Sequence, residues 1–94
     1  MFNINIMEIK EIVGRNYYAT KKRGQINTDT TSIDFLIKIE EELEELAESC
    51  IGNDFDVKEL ADIVLVCFAM AQHNKIDLLD AMKNKMKYNE IRID

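Results

Sequence analysis

An all-α fold in a single small domain, spanning residues 1–94, is what this sequence predicts. Three observations carry it. The chain has no proline and only three glycines, and Ala, Leu, Ile, Met, Glu and Lys dominate it, a helix-forming mixture. Apolar residues recur at helical spacing in four successive segments. Polar residues of the kinds that cap helices or make turns separate those segments.

The first helix is expected over residues 6–22. Asn5 can cap it, with Glu8 three residues on. Ile6, Ile9, Val13 and Tyr17 share one face, and Gly14 is read as a mark of close packing. Residues 23–32, RGQINTDTTS, form a polar loop without periodicity. Thr31 and Asp34 can then cap a second helix over 32–50, whose stripe is Leu36, Ile39, Leu43, Leu46, Ala47 and Cys50. Gly52 is its expected stop. The connection over 51–55 is short, so the second and third helices should be antiparallel neighbours.

The third helix is expected over 57–74, with Asp56 as cap and Glu59 at the third position. Beyond Asp62 it reads IVLVCFAMA, apolar on every side, which implies burial on every side. A chain of 94 residues has too few helices to surround it, and small domains bury a modest share of their surface. A second copy is therefore expected to cover it, as a homodimer or a dimer of dimers. The fourth helix is expected from its cap Asp77 towards Arg92, with Leu78, Leu79, Met82 and Met86 as its stripe.

Composition excludes several classes. The net charge is −6, and the short basic run Lys21, Lys22, Arg23 is too small a footprint for a nucleic-acid binder. The longest uncharged apolar run, residues 63–71, is too short to span a bilayer, so no membrane partner is expected. Residues 1–7 lack a basic start and a long apolar stretch, and a cytoplasmic location is expected by elimination. Cys50 and Cys67 form no metal-type spacing and are expected to be buried, reduced thiols.

Carboxylates carry the chemistry. Glu42 and Glu45 lie three apart on the second helix, and Glu59 and Asp62 three apart on the third, so each pair forms a pincer. Two antiparallel helices can set the pincers face to face. Four clustered carboxylates repel one another unless protonated or bridged by cations, and hard oxygen ligands suit Mg²⁺ or Mn²⁺. A Glu-rich face is ordinarily just solvated, and Glu59 can be explained as a capping partner. Asp62 resists that explanation: it stands one turn into an otherwise apolar helix, where it is expected to be buried and an unpaired carboxylate is expensive. A di-iron bundle fails on ligands: the sole histidine, His73, follows Met70 by three residues where a glutamate would be needed. His73 is read as a helix-end residue that complements the dipole. On the fourth helix Lys85, Asn89 and Arg92 line one edge beside Met82 and Met86.

In that order, these residues resemble the MazG-like all-α nucleoside triphosphate pyrophosphohydrolases, whose pattern is E-E-x-x-E, a spacer, E-x-x-D, then K-x-x-x-N-x-x-R. Here it reads Glu41-Glu42-Leu43-Glu44-Glu45, Glu59-Leu60-Ala61-Asp62 and Lys85 to Arg92, covering the second to fourth helices. The resemblance implies a bundle-forming, oligomeric domain that hydrolyses a (deoxy)nucleoside triphosphate to monophosphate and pyrophosphate. It implies Mg²⁺, with Mn²⁺ as a substitute, on Glu42, Glu45, Glu59 and Asp62. It implies Glu41 as the group that orients or deprotonates water, and Lys85, Asn89 and Arg92 as the grip on the nucleotide. The alternative is a non-catalytic helical homodimer, an interaction module, which would bind no metal.

Overall fold

Four helices form, at nearly the expected bounds, in the computed structural model, which describes residues 6–93: α1 (Ile6–Lys22), α2 (Ser32–Ile51), α3 (Val57–His73) and α4 (Leu78–Ile91). No strand occurs among the described residues. The expected Asn5 cap lies outside them.

Local chemistry sets each start. Thr31 and Asp34 make a reciprocal capping box on α2: Asp34 N–H donates to the Thr31 hydroxyl at 3.3 Å, and Thr31 N–H donates to the Asp34 carboxylate at 2.8 Å. Asp56 caps α3 by accepting from Lys58 N–H at 2.9 Å. Asp77 caps α4 by accepting from Asp80 N–H at 3.0 Å.

The helix ends are less regular. After α1, Gly24 adopts φ +79° while Gln25 N–H donates to the Thr20 carbonyl at 3.2 Å, a left-handed cap that glycine makes without steric cost. After α2 the left-handed residue is Asn53, φ 57°, and not Gly52, whose φ is −78°. After α3 it is Lys75, φ 59°, with Ile76 N–H donating to the Ala71 carbonyl at 2.9 Å. A lysine pays a Cβ clash there that glycine avoids.

Helices α2 and α3 pack most extensively against each other, α1 packs on α3, and α4 makes the weakest contact. Phe35, early in α2, meets Ala69, late in α3, while Glu42 and Glu45 meet Glu59 near the start of α3. The two helices are therefore antiparallel, as expected from the short connection. The core is thin. Ile26, Phe35 and Ala69 are buried, with Tyr17, Val66 and Met70 packed against them.

Three sequence expectations change here. The inward face of α2 follows Phe35, Ile39, Glu42, Leu46 and Ser49, whereas Leu36, Leu43, Ala47 and Cys50 are exposed. Two apolar arcs compete on this helix, and docking on α3 buries the one containing Phe35. The loop over 23–32 supplies a core residue, Ile26. Gly14 has no atom within 4 Å of where a Cβ would stand, so it marks no close packing within this chain.

His73 ties three segments together. The Thr30 carbonyl can only accept, so His73 Nε2–H donates to it at 2.8 Å, leaving Nδ1 to accept the Tyr17 hydroxyl proton at 2.9 Å. Its ring also packs on Phe35, centroids 5.3 Å apart. The histidine thus fixes the 23–31 loop against α1 and α3, beyond any interaction with the helix dipole.

Relief of the Lys75 clash is directly testable. Lys75→Gly should raise the stability of the protein by about 0.5–1 kcal/mol, the steric cost of a left-handed non-glycine residue less the added freedom of the unfolded chain. Urea denaturation measures it, and Lys83→Gly, inside α4 (Leu78–Ile91), should lower stability by a similar amount.

Candidate metal centre

The site begins with spacing. Glu42 and Glu45 leave α2 three residues apart, and Glu59 leaves the first turn of α3. The antiparallel pairing brings one carboxylate oxygen from each to within 4.8 Å of the others. That separation is short enough for one cation to contact all three.

Burial makes the group unusual. Glu42 is 7 % exposed. Its Oε1 accepts from Lys38 Nζ at 3.1 Å, but its Oε2 is buried without a hydrogen-bond partner, and so is Glu59 Oε2. A buried acceptor left unpaired costs about 1–3 kcal/mol, and more when it is charged. Glu45 is exposed at the rim. Hydrogen bonding to Glu59, then repulsion from Glu42 and Glu59, pushes its carboxyl above the ordinary value. Hydrogen bonding to Glu42, followed by the charges of Glu42, Glu41 and Glu45 against an opposing burial effect, holds the Lys38 ammonium above its ordinary value. The Lys38 pair is the protein's own partial remedy for three crowded carboxylates.

A cavity of about 520 Å³ adjoins the group, bounded by the end of α1, the 23–31 loop, α2 and α3. Its floor is apolar, including Ile26, Phe35 and Val66, and its wall carries Glu41, Glu42 and Asp62. Glu41 is exposed there, 3.8 Å from Lys38 Nζ.

The carboxylates picked from sequence do not all fall together. Glu42, Glu45 and Glu59 converge. Asp62 stands outside that trio, is exposed on this chain, and lines the cavity instead. The expectation that Asp62 is the buried carboxylate is therefore corrected: its face of α3 lies open to the cavity, and Glu42 is the buried acid. Glu59 gives its carboxylate to the trio, while its N–H donates to the Asp56 carbonyl at 3.1 Å.

Lys85, Asn89 and Arg92 are exposed and do not line the cavity. Met82 and Met86 are about half exposed, at 50 % and 53 %, while Leu78 and Leu79 of the same stripe are half-buried, so α4 packs at its start and leaves the later edge outside. Lys85 Nζ sits 4.7 Å over the ring of Tyr88 on its own helix. Cys50 is exposed rather than buried, because the arc that carries it faces outward; Cys67 is half-buried and both thiols are free. The cavity also recruits residues given no role above, among them Lys38. Its place three and four residues before Glu41 and Glu42 was the available signal.

No family model, curated protein or solved structure matches the chain. No helix among the described residues is long and apolar enough to cross a membrane.

Proposed function

We propose that this protein is a Mg²⁺-dependent hydrolase that converts a (deoxy)nucleoside triphosphate to the monophosphate and pyrophosphate, acting as a homo-oligomer. The observation that carries the metal is the buried Glu42 carboxylate, unpartnered at Oε2 and grouped with Glu45 and Glu59. The residues fit the ion: an all-oxygen, anionic donor set with orphaned acceptors is the chemistry a hard divalent cation satisfies. The motif order from Glu41 to Asp62 supports the substrate class by resemblance.

Glu42, Glu45 and Glu59 hold the ion in this reading, with Asp62 as a further carboxylate on the cavity wall. The bound ion supplies Lewis acidity and a template for the phosphate oxygens. Glu41, exposed beside Glu42, takes the proton of a water whose oxygen bonds to the phosphorus carrying the nucleoside. The bond from that phosphorus to the bridging oxygen breaks, and pyrophosphate leaves with the electron pair. The cavity, with its apolar floor, offers room for the organic part of the substrate. The basic edge of α4 enters this reading only through a second copy, because within one chain it does not reach the cavity.

Exposed apolar faces support assembly. Leu36 and Leu43 on α2, Leu60 and Val64 on α3, and Met82 and Met86 on α4 are each at least 42 % exposed. Faces of this kind on several helices of one small domain mark an interface. We place a homodimer, or a dimer of dimers, on these faces. Sedimentation velocity should show a dimer or larger species at micromolar concentration, and a stable monomer would refute the assembly.

A turnover screen over nucleoside triphosphates with Mg²⁺, resolving phosphate from pyrophosphate, tests the reaction. Pyrophosphate release is expected. Glu42→Gln should lower kcat by at least about a hundredfold, since a catalytic metal contributes several kcal/mol. Glu44→Gln and Glu48→Gln, solvated on the same helix, should change it less than about twofold. Asp62→Asn is expected to lose most turnover, and wild-type rates in that variant would remove Asp62 from the site. No turnover of any triphosphate would favour the interaction module.

A further inference from the structure

Lining the cavity are two cations: Lys38 from α2, and Arg23, which directly follows α1. We propose that Arg23, assisted by Lys38, grips the phosphate oxygens of the substrate in this cavity. The proposal rests on the reading of Glu42, Glu45 and Glu59 as a Mg²⁺ site for a nucleoside triphosphate.

Position comes from the helix end. Asn16, Thr20 and Arg23 are spaced i, i+4, i+7 and all three line the cavity, so Arg23 prolongs one face of α1. Its own N–H still donates to the Ala19 carbonyl at 3.1 Å, which keeps it on the last turn. The left-handed Gly24 then reverses the chain and closes the cavity with Gln25 and Ile26. The side chain is therefore aimed by a capped helix terminus.

Chemistry distinguishes the two cations. Lys38 is committed to Glu42 at 3.1 Å and Glu41 at 3.8 Å. Arg23 makes no ion pair among the described residues, and its guanidinium donates to the neutral Gln25 Oε1 at 3.3 Å. Four carboxylates share the cavity wall with these cations, namely Asp34, Glu41, Glu42 and Asp62. A bare polyphosphate is repelled by that wall. Once a divalent ion offsets the charge of Glu42, Lys38 is freed to turn to an anion, and Arg23 already lines the cavity with no carboxylate to release. A planar guanidinium with five N–H donors suits a phosphate's paired oxygens, and Gln25 is a neutral neighbour that yields without leaving a charge behind.

Calorimetric titration with inorganic tripolyphosphate, at saturating Mg²⁺, tests this without turnover. Arg23 is exposed, so Arg23→Gln should fold as the wild type does, with unchanged helical circular dichroism. It should weaken tripolyphosphate binding about tenfold or more, the loss of a charge-assisted contact, while Mg²⁺ alone binds as before. Arg23→Lys should recover part of the affinity, because it restores the charge without the fork. Lys83→Gln, an equally exposed cation on α4, should stay within about twofold. If wild type binds Mg²⁺ and tripolyphosphate and Arg23→Gln binds both equally well, the inference is overturned and the metal reading stands. If wild type binds Mg²⁺ but shows no Mg²⁺-dependent binding of tripolyphosphate, the inference is overturned and the metal reading stands; if it binds no Mg²⁺, both are overturned.

Discussion

Glu42 is a carboxylate driven into the contact between α2 and α3 by the packing on either side of it. Phe35 and Leu46 lie on the same face of α2 at helical spacing, so docking that face on α3 buries whatever stands between them. What stands there is an acid. Lys38 answers one of its oxygens, and the other is buried with no hydrogen-bond partner among the described residues. The same docking brings Glu59 alongside with an oxygen in the same condition. Two orphaned acceptors in one contact are a liability that an apolar pair of similar size would avoid. Their persistence is the physical reason to expect a cation there, and the adjoining cavity is where that cation's ligand would stand.

The helices were legible because their boundaries are local. Thr31 with Asp34, Asp56 and Asp77 are caps whose side chains bond the backbone within three residues, and no distant contact is needed to form them. Faces were less legible. Helix α2 carries two apolar arcs, one through Phe35, Ile39 and Leu46 and one through Leu36, Leu43, Ala47 and Cys50, and periodicity alone cannot rank them. The ranking comes from the partner helix. For the same reason Ile26, the sole large aliphatic in a polar loop, gave no periodic signal of its place in the core.

The carboxylates divide along the same line. Spacing along a helix identified the two pincers, and three of their four members converge. Spacing could not say which acid is buried, because burial depends on the rotation of α3 against α2. That rotation turns Asp62 towards the cavity and Glu59 into the contact. Lys85, Asn89 and Arg92 share an edge of α4, as their spacing requires, yet α4 has little surface in its own chain to pack on. An edge is legible in one sequence; what it faces is decided by tertiary or quaternary packing.

A thin core and an unsatisfied acid contact both ask for something the single chain does not supply: apolar cover for α2, α3 and α4, and positive charge for Glu42. The second is the central claim, and direct metal binding tests it most simply. Titration of the protein with Mn²⁺, followed by electron paramagnetic resonance of the free ion, should show saturable uptake that Mg²⁺ displaces and that Glu42→Gln weakens at least about tenfold. Uptake by Glu42→Gln equal to that of wild type, or no saturable uptake at all, would contradict it.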